Sequence, residues 1–107
     1  MTTFDDREQA FEAKFALDQE QEFRAIARRN KQLGLWAAEK MGLSPESAED
    51  YAAAVVRADF EQPGDEDVFR KVAGDLKGSG ISVSEGEIRS KMDELASMAR
   101  DQVRAGE

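Results

Sequence analysis

Neither cysteine nor histidine occurs among the 107 residues. Without cysteine the chain has no disulfide framework, no thiolate zinc site and no sulfur nucleophile. Without histidine it lacks the usual metal ligand, the usual general base and the usual pH switch. Only two prolines interrupt it, so long helices are permitted. No run approaches the roughly 18 apolar residues of a membrane span, and Met1-Thr2-Thr3-Phe4-Asp5-Asp6 has no signal-peptide character. A cytoplasmic protein with no direct membrane insertion is expected. Apolar residues make up 40% and charged residues 36%, a balance that suits thin helices around a narrow single core, with one part left unfolded.

The net charge of −8 argues against a nucleic-acid partner. Its distribution is uneven. Residues 1–23 carry seven acidic and two basic side chains, a net −5. Residues 24–42 hold Arg24, Arg28, Arg29, Lys31 and Lys40 against Glu39 alone, a net +4. The stretch 44–68 is acidic again, with eight carboxylates against Arg57.

Punctuation divides the chain into four helices, which predicts an all-α four-helix bundle. Asp5 with Glu8, or Thr3 with Asp6, offers a capping-box start for a first helix running from Asp5 to Met41. Gly42 suits the left-handed position that ends it. Ser44-Pro45 restarts the chain as N-cap and first helical residue. The second helix passes through Tyr51, Ala52, Val55, Val56 and Phe60 to Pro63-Gly64. A third begins at Asp65-Glu66-Asp67, turns Val68, Phe69, Val72 and Leu76 inward, and stops at Gly78-Ser79-Gly80. In the fourth, Ser84 and Glu87 form a capping box, and Val83 and Ile88 stand at the positions of a hydrophobic staple. Ile88, Met92, Leu95, Ala99 and Val103 then recur at helical spacing. Only Ile81-Ser82-Val83 looks extended, and three residues make a connector. Short connections favour antiparallel packing.

Little of this suggests catalysis. Asp65-Glu66-Asp67 reads as acidic residues complementing a helix dipole, without the pattern of a calcium loop. The segment from Gly74 to Gly80 lacks the spacing of a phosphate-binding loop and follows a helix instead of a strand, so it reads as a helix terminator. Carboxylate pairs such as Glu46/Glu49 and Asp93/Glu94 lie on outer faces, where nothing raises a carboxyl pKa for acid–base work. No catalytic, cofactor or metal residue is assigned.

Two features point to a partner instead. Arg24, Arg28 and Lys31 lie opposite Ile26 and Leu33 on the wheel and should face solvent. They either pair with Glu20, Glu22 and acidic faces of the bundle, or form a secondary docking patch for an acidic partner. Arg29 sits beside the apolar stripe, where a stacked or paired arginine is expected. The second feature is that stripe itself. Phe4, Phe11, Phe15, Phe23, Ile26, Leu33 and Trp36 fall within roughly 140° of one helix face. Phe23 to Met41 is assigned to the core. The segment before it would extend past its neighbours, and a charged helix of about 20 residues is marginal alone. It is expected to be disordered or frayed when free and to fold on a partner.

At this point the residues resemble a known family. Asp5-Asp6-Arg7-Glu8, Ala10-Phe11-Glu12, Lys14-Phe15-Ala16 and Ala27-Arg28-Arg29-Asn30-Lys31 are similar to the zeta subunit of the alphaproteobacterial F-type ATP synthase. So are Leu33-Gly34-Leu35-Trp36-Ala37-Ala38, Ala58-Asp59-Phe60-Glu61, Pro63-Gly64-Asp65-Glu66-Asp67 and Lys91-Met92-Asp93-Glu94-Leu95. The resemblance implies a monomeric inhibitor of ATP hydrolysis, peripheral to the inner membrane when bound to the enzyme. It implies an inhibitory arm over residues 1–19 and a bundle over 20–107. The arm would insert as a helix between alpha and beta subunits near gamma, through Phe4, Asp5, Arg7, Phe11, Lys14 and Phe15, and stop hydrolytic rotation. Leu17 departs from the family's polar residue and offers a second contact. The resemblance leaves room for weak ATP or ADP binding to the bundle, but no site for it is visible in these residues. Two other readings remain open: an acidic helical adaptor for another amphipathic or basic partner, and a low-affinity adenine-nucleotide sensor acting through Lys77 to Gly80.

Overall fold

The computed structural model describes residues 18–61 and 65–106, with the side chains of Phe60 and Glu61 outside the description. Four helices follow one another: α1 (Gln19–Lys40), α2 (Pro45–Glu61), α3 (Asp65–Gly78) and α4 (Glu85–Arg104). No strand occurs among the described residues. The all-α bundle expected from the spacing is what the chain forms.

Helix α1 is the hub, packed most extensively against α2 and α4. Its first turn is set by a signal that the sequence reading passed over. Asp18 is extended, with φ −72° and ψ 174°, and its carboxylate accepts the Gln21 amide at 2.7 Å. The Gln21 side chain accepts the Asp18 amide at 3.2 Å, closing a capping box. A single unbroken helix from Asp5 to Met41 is therefore corrected: the backbone leaves helical geometry at Asp18. The proposed starts at Thr3 and Asp5 lie outside the described residues.

The other boundaries fall where the punctuation placed them. Gly42 and Gly80 have positive φ, +73° and +77°. Each closes a Schellman turn, through Leu43 N–H to Ala38 O at 3.0 Å and Ile81 N–H to Leu76 O at 2.9 Å. Ser44 Oγ accepts the Ser47 amide, and Ser84 Oγ accepts that of Glu87. Only half of the expected second box forms, because the Glu87 carboxylate instead lies 3.5 Å from Lys40 Nζ.

The core follows the helical periodicity. Val55, Val68, Phe69, Val72, Leu76, Ile88, Met92 and Leu95 gather with Leu33 and Ala37, while Ala25, Ala99 and Val103 form a smaller cluster. Large residues on α1 contribute less than the stripe suggested. Leu33 is fully buried, Ile26 and Trp36 are half-buried, and Phe23 is 54% exposed. The assignment of Phe23 to the core is thus corrected. About three turns farther along α1, Gly34, Ala37 and Ala38 let α2 approach so closely that a Cβ on Gly34 would stand 2.7 Å from the Ala52 Cα. Close helix approach leaves no room for a ring between the backbones.

Candidate functional site: the first helix and its flanks

Phe4, Asp5, Arg7, Phe11, Lys14 and Phe15, together with Leu17, lie outside the described residues. The described molecule instead shows how the end of the bundle nearest to them is built. Asp18, itself extended, is the N-cap that starts α1.

Arg24, Arg28 and Lys31 start from neighbouring positions on α1 and then diverge. Arg24 is exposed. Arg28 does not stand in solvent as expected; it is half-buried and donates to Gln102 Oε1 on α4 at 3.3 Å. Lys31 leans the other way, 3.9 Å from Glu49 on α2. Glu22, a suggested partner for these cations, instead meets Arg100 of α4 at 2.8 Å. That bond is the first cause of the raised Arg100 pKa, with burial opposing it. The three residues therefore share one backbone face, from which Arg28 and Lys31 reach toward different helices.

Arg29 is the most constrained charge of the molecule's described part. It is 5% exposed, and its guanidinium meets Asp65, the first residue of α3, at 2.9 Å. Its Nε and a terminal nitrogen both donate to Asn30 Oδ1, at 3.1 and 2.8 Å. The expected paired arginine is present, while the stacking cation over Trp36 is Lys40, 5.1 Å from the ring centre. Because Asn30 Oδ1 is held by a donor-only group, its amide cannot be turned around. Its buried Nδ2 is left with no hydrogen-bond partner among the described residues. Asn30 lines a cavity of about 50 Å³ with Phe23, Ile26, Ala27, Val56 and Asp59.

A wider groove of about 410 Å³ continues along the outer α1–α2 seam. Lys31, Glu49, Ala53, Val56 and Arg57 line it, and Val56 is common to both depressions. The seam could not be found from apolar spacing, since its floor is made by small side chains that a hydrophobic count underweights.

The Lys77–Gly80 segment is a helix terminator. The amides of Ser79, Gly80 and Ile81 donate to Asp75, Lys77 and Leu76 carbonyls, so they are engaged and do not cradle a phosphate. Nearby, Tyr51 donates to Asp75 at 2.8 Å, and Lys71 reaches the same carboxylate oxygen at 3.1 Å. Burial, followed by this hydrogen bond, raises the Tyr51 pKa well above that of an ordinary phenol. Among the described residues no group of acidic side chains is placed to hold a metal ion, and no helix is long and apolar enough to cross a membrane.

Comparison with known proteins adds two findings. A family model described as ATPase inhibitor subunit zeta matches residues 1–102. A chain solved by solution NMR is 49% identical, with 80% of this chain and 98% of that one covered and a TM-score of 0.69. No curated protein matches the chain.

Proposed function

Since this chain belongs to the ATPase inhibitor subunit zeta family, we propose that it restrains ATP hydrolysis by the F-type ATP synthase through residues 1–17. The observation that carries this reading is the extent of the family match, which includes those residues as well as the bundle. In this reading the segment enters the catalytic head as a helix between alpha and beta subunits near gamma. There it blocks rotation in the hydrolytic direction. Phe4, Phe11 and Phe15 supply apolar contact along one face. Asp5, Arg7 and Lys14 fix its register by pairing with charges of the head. Seventeen helical residues span about 25 Å, enough to wedge a subunit interface.

The Asp18 cap supports a boundary between arm and bundle at residues 17 and 18. The bundle then serves as the body that carries the arm and keeps it from passing deeper into the head. Its outer cations, Arg24 and Lys31, are suited to an acidic rim, with Arg28 held back by Gln102. Such rim charges influence association rate more than residence time. The protein acts where the enzyme is, at the cytoplasmic face of the inner membrane. Nothing in this role requires the chain to catalyse a reaction.

Removal of residues 1–17, with Asp18 retained, provides the test. ATP hydrolysis by the isolated catalytic head is measured with the full chain and with the truncated one. The truncation is expected to abolish inhibition while the helical signal and cooperative melting persist. Equal inhibition by both proteins sinks the reading. An acidic adaptor for another partner would leave ATP hydrolysis unchanged with either protein.

A further inference from the structure

Asn30 holds an unused donor inside the bundle. The residue is 1% exposed, and its Nδ2 has no hydrogen-bond partner among the described residues. A buried amide N–H left unmade costs stability, because the unfolded chain would satisfy it with water. Turning the amide around does not help. Oδ1 already accepts from two nitrogens of Arg29, at 3.1 and 2.8 Å, and a guanidinium offers nothing to which Nδ2 could donate. The amide is therefore fixed as it stands, at the wall of the cavity that Asn30 lines.

That cavity is a small polar site set in apolar walls. Phe23, Ile26, Ala27 and Val56 border a space of about 50 Å³, and Asp59 on α2 is the one ionisable side chain in its lining. Asp59 is half-buried, and no hydrogen bond or ion pair engages its carboxylate among the described residues. One donor and one acceptor thus border the same space from two helices.

Those two groups select the occupant. It must accept from Nδ2, so an ammonium or guanidinium group, which only donates, is unsuitable. An anion could accept, but the Asp59 carboxylate repels it. A purely apolar molecule leaves both groups unsatisfied. A small neutral molecule that both accepts and donates fits, and water is the smallest. One water needs roughly 10–15 Å³ and about two to four polar partners, so the cavity has room for more than one.

We propose that the cavity between α1 and α2 is a hydration site, in which water accepts from Asn30 Nδ2 and donates to the Asp59 carboxylate. The contact completes a polar chain through the bundle. Asp65 meets Arg29, Arg29 donates to Asn30, and Asn30 reaches Asp59 through water. Carboxylates of α2 and α3 then stand at its two ends, with α1 between them. The site is independent of any action on ATP hydrolysis.

The full chain in solution provides the test, through water–protein NOE and ROE spectra of isotope-labelled protein. The Asn30 Nδ2 protons should show cross-peaks to water, with the sign given by molecules that tumble with the protein. No cross-peak overturns the proposal. Arg29 carries exchangeable protons beside Asn30 and can relay magnetisation, so a second measurement uses the same sample. Xenon under pressure enters dry apolar cavities. The methyl shifts of Ile26 and Val56 should respond to it no more than those of exposed Leu43. A larger, saturable response shows a dry cavity and overturns the proposal, with or without a cross-peak.

Asp59→Ala tests the second partner. With Nδ2 alone to hold it, water should leave faster, and the cross-peak should weaken or vanish. An undiminished cross-peak overturns the bridge. Asp59→Asn keeps an oxygen acceptor and should preserve the cross-peak. Its loss there as well would assign the effect to packing at residue 59 and overturn the bridge.

Discussion

The guanidinium of Arg29 and the carboxylate of Asp65 meet at 2.9 Å, the first 6% and the second 66% exposed. This pair ties the middle of α1 to the first residue of α3. It also explains why a cation can lie within the bundle: Asn30 and Asp65 share its donors, and the carboxylate keeps its other contacts with water. Asp65→Asn is expected to lower stability by about 1–3 kcal/mol, because a buried charge loses its counter-ion. Urea unfolding of the full chain measures it. No change in the midpoint would mean that Asn30 alone satisfies the guanidinium.

Glycine positions provide a contrast of sign. Gly34→Ala puts a methyl 2.7 Å from the Ala52 Cα, a backbone atom that cannot step aside. Overpacking of about 1–3 kcal/mol should outweigh the gain in helix propensity. Gly74→Ala in α3 meets nothing within 4 Å and should stabilise by about 0.5–1 kcal/mol. Thermal melts of the two variants should move in opposite directions. If both rise, α1 and α2 are not in close contact.

Asp18→Ala removes the cap of α1 and should cost about 0.5–2 kcal/mol. Hydrogen exchange would show the loss first at Gln21 and Glu22, whose amides bond to Asp18. Unchanged protection there would place the start of α1 elsewhere.

Tyr51 is the chain's single tyrosine, so its absorbance titration is unambiguous. Its folded pKa lies above the unfolded value, first through burial and then through the Asp75 contact. The neutral phenol therefore contributes its stability below pH 10, and that contribution declines as the pH rises from 10 toward the folded value. Ionisation should coincide with alkaline unfolding instead of preceding it. Tyr51→Phe should flatten the alkaline decline and cost about 1 kcal/mol at neutral pH. A normal phenol titration in the folded protein would contradict the Asp75 hydrogen bond.

Phe11→Ala and Phe15→Ala should each weaken inhibition by about tenfold or more, from about 1.5–3 kcal/mol of buried ring. The melting midpoint of the bundle should hardly move. A parallel fall in stability and inhibition would place these rings in the core and remove the basis for an arm.

Helix boundaries were largely legible because their chemistry is local. Gly42, Ser44, Gly80 and Ser84 act through bonds to residues within one turn, and their types reveal them directly. The inward faces of α3 and α4 were equally legible, since Val68, Phe69, Val72, Leu76, Ile88, Met92, Leu95, Ala99 and Val103 keep one period. The start of α1 was local too, but the Asp18–Gln21 box was obscured by an apolar stripe that continues through it. A stripe records which residues share a helix face; it does not show that the helix is continuous.

Composition, caps and periodicity thus determined a four-helix bundle, and the family resemblance is what led to the proposal that the phenylalanine-bearing residues before it inhibit. Tertiary packing decided which parts of the first helix are buried. Phe23 is turned outward near the start of α1, the close α1–α2 contact falls farther along at Gly34 and Ala52, and Arg29 is turned inward because Asp65 arrives from a distant helix to meet it. Both outcomes depend on what stands opposite a residue in space. That information is absent from any one helix and exists only once the helices have met.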